Sequence, residues 1–111
     1  MSIRYVEREL FIDGARHELS YPIDHAIEYE DSVVILYDPD SADEGNGRFH
    51  NLVAFDRTGE LLWTAELPTA DPGDRYYKVP SSDPLTAYSV RSYDCVIDRH
   101  TGRILDRIFT K

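Results

Sequence analysis

A chain of 111 residues with a net charge of −9 has room for one domain around one core, and a field of that sign repels phosphate backbones and speaks against nucleic acid as a partner. Its 41% hydrophobic content, with eight Tyr, four Phe and one Trp, is too high for a disordered chain, and no apolar run approaches the ~18 residues of a membrane span. The first ten residues mix two Arg with two Glu, unlike a signal peptide, and the lone Cys95 has no partner for an internal disulfide, so a cytoplasmic protein is expected.

Strand signals dominate the chain. Residues 5–12 and 15–21 flank Asp13-Gly14, a dipeptide suited to a two-residue hairpin turn. Ile3, Val6 and Leu10 also fit one helical face, but the strand reading of this stretch is favoured. Residues 25–29 and 33–37 follow, joined by Glu30-Asp31-Ser32. Residues 38–47 form a loop by composition. Residues 51–56 and 61–65 flank Asp56-Arg57-Thr58-Gly59, where Gly59 supplies the left-handed conformation of a short hairpin loop; Val53, Phe55, Leu61 and Trp63 are expected to share a face. After a second loop over 68–74 come strands at 76–79 and 85–90. Tyr93, Cys95 and Ile97 then alternate with Asp94, Val96 and Asp98, and Asp98 to Gly102 turns the chain into Ile104-Leu105 and Ile108-Phe109. Roughly ten short strands at this spacing predict a single all-β domain over 1–111. Its antiparallel hairpins are expected to form a small barrel or sandwich with blade-like units.

Gly59 and Gly102 lie 43 residues apart within matching contexts, Phe55-Asp56-Arg57-Thr58-Gly59-Glu60-Leu61-Leu62 and Ile97-Asp98-Arg99-His100-Thr101-Gly102-Arg103-Ile104-Leu105. A period of 40–45 residues is that of propeller blades, and the two segments resemble the hairpins of quinoprotein-type propellers. A closed propeller needs about four blades or more, and this length holds two or three, so a monomeric ring is excluded. Nearly the whole chain resembles a loose group of short prokaryotic proteins of unknown role. The shared motifs are Tyr21-Pro22-Ile23, the Asp56-x-x-Gly59-x-Leu61-x-Trp63 hairpin and a Gly102-x-Ile104-Leu105 segment ending in Phe109-Thr110-Lys111. These motifs are turn chemistry, so the resemblance implies a fold and carries no catalytic residues.

The acidity is unevenly placed. Between Arg16 and Arg48 there is no Lys or Arg, while nine acids occur: Glu18, Asp24, Glu28, Glu30, Asp31, Asp38, Asp40, Asp43 and Glu44. This segment is the expected recognition surface, with Asp38, Asp40, Asp43 and Glu44 as its binding residues and a basic protein as its partner. The loop holding them misses the EF-hand pattern, since Ala42 and Glu44 fall at its fifth and seventh positions, and no metal is assigned. Tyr76 is the aromatic candidate for a ligand platform. Its neighbour Tyr77 points the opposite way on a strand, so only one of the pair can join such a surface.

His17, His25, His50 and His100 show no metal-ligand spacing. Cys95 and His100 form a conceivable nucleophile and base, yet Cys95 shares its face with Tyr93 and Ile97 and reads as core. No nucleophile elbow, phosphate loop or dinucleotide fingerprint is present. The expectation is a non-enzymatic interaction protein without cofactor, an immunity-type inhibitor of a basic toxin being one form. The alternative is a small-ligand or carbohydrate module in an oligomeric propeller-like assembly. Exposed sheet edges also suit a homodimer.

Overall fold

Asp13 and Gly14 have φ values of 50° and 85° in the computed structural model, which describes residues 1–41 and 48–110. Two consecutive positive φ angles make the turn whose twist matches that of paired strands. It joins β2 (Glu9–Ile12) to β3 (Ala15–Glu18). The stretch 5–12, read from sequence as one strand, divides at Glu7, whose φ is 54°; β1 (Ile3–Val6) folds back on β2, with Val6 opposite Glu9. Glu7-Arg8 carries no turn signature, so nothing local announces this hairpin. Its reward is tertiary: Ile3 comes to lie opposite Ile12 and packs against the core, while Tyr5, opposite Leu10, stays exposed.

Two four-stranded meanders follow. The central sheet orders β4 (Ile23–Glu28), β5 (Ser32–Tyr37), β6 (Leu52–Asp56) and β7 (Leu61–Thr64) as in the chain. The C-terminal sheet does the same with β8 (Tyr76–Ser82), β9 (Leu85–Ser89), β10 (Tyr93–Ile97) and β11 (Ile104–Phe109). Every pairing is antiparallel, and the three sheets stay open rather than closing into a barrel. Among the described residues the one helical element is a 3-10 turn at Pro39–Ser41.

The sheets stack in three layers with the four-stranded β4–β7 sheet in the middle. One core joins it to the N-terminal sheet through Leu10, Ile12, Val33, Ile35, Val53 and Phe55. The other joins it to the C-terminal sheet through Val34, Leu36, Ala54, Trp63, Tyr76 and Cys95. Asn51 ties the layers by donating from Nδ2 to the Tyr37 and Tyr76 carbonyls at 3.1 and 2.7 Å and accepting from the Tyr76 amide at 2.9 Å.

The sequence repeat is a structural one. Gly59 and Gly102 sit in the turns between the third and fourth strands of their sheets. Each turn is followed by the same irregularity. Phe55 pairs with Leu61 and Ala54 with Trp63, skipping Leu62; Ile97 pairs with Ile104 and Val96 with Asp106, skipping Leu105. One extra residue shifts the facing of all that follows. Trp63 therefore leaves the face of Val53 and Phe55, where alternation predicts it, and enters the opposite core.

Trp63 packs directly beneath Gly102, where a Cβ would stand 2.6 Å from its ring, and its indole N–H donates to the Arg99 carbonyl at 2.9 Å. His17 on β3 lies beneath Gly59 in the same way, 2.4 Å from the position of a Cβ. Gly14 has nothing within 4 Å.

All three glycines hold positive φ, so alanine costs each about 1–2 kcal/mol of backbone energy. Gly59→Ala and Gly102→Ala add a collision that Gly14→Ala lacks. Urea unfolding is expected to show Gly14→Ala losing about 1 kcal/mol and Gly102→Ala at least about twice that. Equal losses at the two positions would refute the close packing of Trp63 under its turn.

Candidate binding surface

The β4–β5 hairpin fixes where the acids of the 17–47 segment go. Ile23 pairs with Tyr37, and the Asp38 amide donates to the Pro22 carbonyl at 2.9 Å, so Asp24 and Asp38 share one end of the central sheet. Asp38 accepts the Asp40 amide on Oδ1 at 2.9 Å, which holds the Pro39–Ser41 turn. Beneath them Tyr21 packs edge-on against Tyr37 and Phe49, with centroids 5.3 and 4.8 Å apart. Arg75 lies over the Phe49 ring and donates to the Pro39 carbonyl, anchoring the turn from β8.

Folding neutralises part of the acidic segment. Glu18 meets Arg8 and Arg16 at 3.2 Å, Asp31 meets Arg99 at 3.5 Å, and Glu28 meets the Met1 amino group at 3.9 Å. Among the described residues Asp24, Glu30, Asp38 and Asp40 take part in no ion pair; Glu30 lies in the β4–β5 turn at the opposite end of the hairpin from the other three. Asp43 and Glu44, the other two acids expected at this surface, lie outside the described residues.

Tyr76 does not belong to a ligand surface. It is 0% exposed, and its hydroxyl donates to the Glu66 carbonyl at 2.6 Å, inside the core between the central and C-terminal sheets. Burial pushes its phenol pKa upward. Strand alternation then turns Tyr77 outward, 48% exposed, where it leans on Tyr88 with centroids 6.1 Å apart. Tyr77, Lys78 and Val79 on β8 face Asp24, His25 and Leu36 across an open cleft of about 240 Å³. Of the two tyrosines, the one expected at a surface is the buried one. The apolar alternation of β8 is broken by irregular register after Tyr76, so the facing could not be read from pattern.

Beside the acidic end lies a buried polar group missed from sequence. Asp74 is 0% exposed and accepts from Thr69 Oγ1 at 2.7 Å, from the Arg75 amide at 2.9 Å and from Ser89 Oγ. These three donors satisfy the carboxylate and fix the loop before β8. Asp74 stood in a stretch that composition marks only as a loop, with no signal of burial.

Among the described residues, no three His, Cys, Asp or Glu side chains gather as a metal-holding group, and no helix is long and apolar enough to cross a membrane. Cys95 is buried against Tyr76, and burial pushes its thiol up to about 11. His100 is exposed in the β10–β11 turn, where its amide bonds the Asp98 carboxylate. His50 has its pKa lowered, first by burial and then by nearby Arg48.

The chain belongs to the family described as domain of unknown function DUF7957, whose model matches residues 1–109. No match is found among curated proteins or among solved structures.

A buried thiol with a raised pKa carries almost no thiolate at neutral pH. Native Cys95 is expected to resist iodoacetamide at pH 8, reacting at least about a hundredfold more slowly than in the urea-unfolded chain. Alkylation at equal rates in both states would contradict the buried placement.

Proposed function

We propose that this chain is a non-enzymatic interaction protein that docks a basic protein on the acidic end of its central sheet. The observation that carries the reading is the trio Asp24, Asp38 and Asp40. They stand outside the ion pairs that absorb Glu18, Glu28 and Asp31, on a chain of net charge −9. Carboxylates that form no ion pair, set above a packed aromatic base, make a negative surface, which speeds encounter with a cationic partner and sets its orientation. An immunity-type inhibitor of a basic toxin is the concrete form of this role. A cytoplasmic location fits a chain whose one cysteine is a free, buried thiol.

A second reading rests on Tyr77. Its exposed ring walls the cleft that also holds Asp24, His25 and Lys78, an arrangement suited to a small polar ligand such as a sugar. The propeller-like oligomer that accompanied this idea has less support. The outward face of the N-terminal sheet carries Arg16 paired with Glu9 and Glu18, and that of the C-terminal sheet carries Asp94 and Asp106 beside the exposed Ile108, so both ends of the stack bear charge.

The test compares the native protein with the triple variant Asp24→Asn, Asp38→Asn, Asp40→Asn. The native chain is expected to capture a basic protein at low ionic strength, and the variant to associate at least about tenfold more slowly with an unchanged fold. Capture that survives the triple substitution and is insensitive to salt contradicts the reading. Chemical shifts at Tyr77–Val79 on titration with sugars, with none at Asp38–Ser41, would favour the second reading instead.

A further inference from the structure

The repeat identifies a place where one strand is missing. His17 beneath Gly59 corresponds to Trp63 beneath Gly102, so β3 holds the place of β7 in its own sheet. The registers agree, since His17 pairs with Leu10 and Trp63 with Ala54, both of which enter the core shared with the next sheet. By the same correspondence β2 matches β6, and β1 matches β5. β1 packs against β4 as β5 packs against β8. Among the described residues the N-terminal sheet thus has counterparts of the second, third and fourth strands of the other sheets and none of the first.

The first-strand position lies along the open edge of β1. Val6 pairs with Glu9 across a two-residue turn, and the Asp13 amide bonds the Ser2 carbonyl at 2.8 Å. In an antiparallel ladder this phase directs the Arg4 and Val6 peptide groups toward β2 and those of Ile3 and Tyr5 away from it. Along that edge runs a groove of about 470 Å³ lined by Ile3, Arg4, Tyr5 and Val6 of β1 and by Ala26 and Glu28 of β4. Past Val6 the two strands are tied by the Ile23 amide, which donates to the Glu7 carbonyl at 2.6 Å.

We infer that this groove binds an extended segment of a partner protein as the missing strand, antiparallel to β1. The unpaired peptide groups of Ile3 and Tyr5 select a polypeptide in β conformation. Side chains at every second position of the segment face Ala26 and are apolar, and the intervening ones face solvent. The added strand extends the interface that the N-terminal and central sheets already share, and it gives β1 the neighbour that β5 has in β4 and β9 in β8. This inference stands apart from the acidic end and does not depend on it.

The probe is an acetylated and amidated octapeptide alternating valine with lysine, titrated into the full-length ¹⁵N-labelled protein. Saturating amide shifts are expected at Ile3–Val6 and at 26–28. Tyr5→Pro removes the outward N–H from an edge strand while leaving the bonds to β2, and is expected to weaken binding at least about tenfold. Ala26→Arg, which fills the groove from β4, is expected to do the same and serves if the proline variant does not fold. Shifts confined to Asp24, Asp38 and Asp40, binding unaltered by either substitution, or no shifts would overturn the inference. Light scattering that shows a dimer abolished by Ala26→Arg would also overturn it, by assigning the groove to a second copy.

Discussion

β5 has no solvent face. All six of its residues, Ser32 to Tyr37, are buried, and its alternation sends Val33, Ile35 and Tyr37 into one core and Val34 and Leu36 into the other. Covering both faces of one strand makes two layers of core depend on a single backbone. At ~25 cal/mol per Å² of apolar surface, each fully buried Val, Leu or Ile contributes about 1.5–3 kcal/mol, and four such side chains in a row, Val33 to Leu36, fix the register of everything paired with β5. β4 and β6 flank it, and the outer sheets meet the chain through it.

The outer layers attach by one device used twice. A side chain on the last strand of one sheet lies under the glycine turn of the next: His17 under Gly59, then Trp63 under Gly102. The device stops where the stack stops. The register position filled by Trp63 in the central sheet is filled by the exposed Asp106 in the C-terminal sheet, and Gly14 at the other end faces open space. Charged outer faces on the end units of a repeat keep it from growing. The acids and arginines that look segregated along the chain are thus partly spent on closing the ends, with Arg16 between Glu9 and Glu18 the clearest case. What remains unpaired at the end of the central sheet is a smaller and better-defined surface than the segment as a whole.

Much of the fold was legible in the sequence because turn chemistry is local. Asp13-Gly14, Gly59 and Gly102 announce their hairpins by residue type, and the 43-residue spacing announces the repeat. The failures trace to non-local causes. The Glu7-Arg8 turn exists because it brings Ile3 against the core, not because those residues favour it. Trp63 changes face because Leu62 is an extra residue in the ladder, a bulge that pattern alone does not reveal. Tyr76 and Tyr77 were separable only as alternatives, and Asp74 became visible as a buried carboxylate only once Thr69 and Ser89 were brought to it. The acids Asp24, Asp38 and Asp40 were legible as residues, but their isolation from arginines depends on which pairs the fold creates.

Native-state hydrogen exchange tests the account most directly. If β5 is the strand on which both layers depend, its amides open only with global unfolding and are the slowest in the molecule, while the outward amides of Ile3 and Tyr5 on the open edge of β1 exchange by local fluctuation. Amides of β5 that exchange as fast as those of β1 or β11 would contradict a stack built around one doubly buried strand.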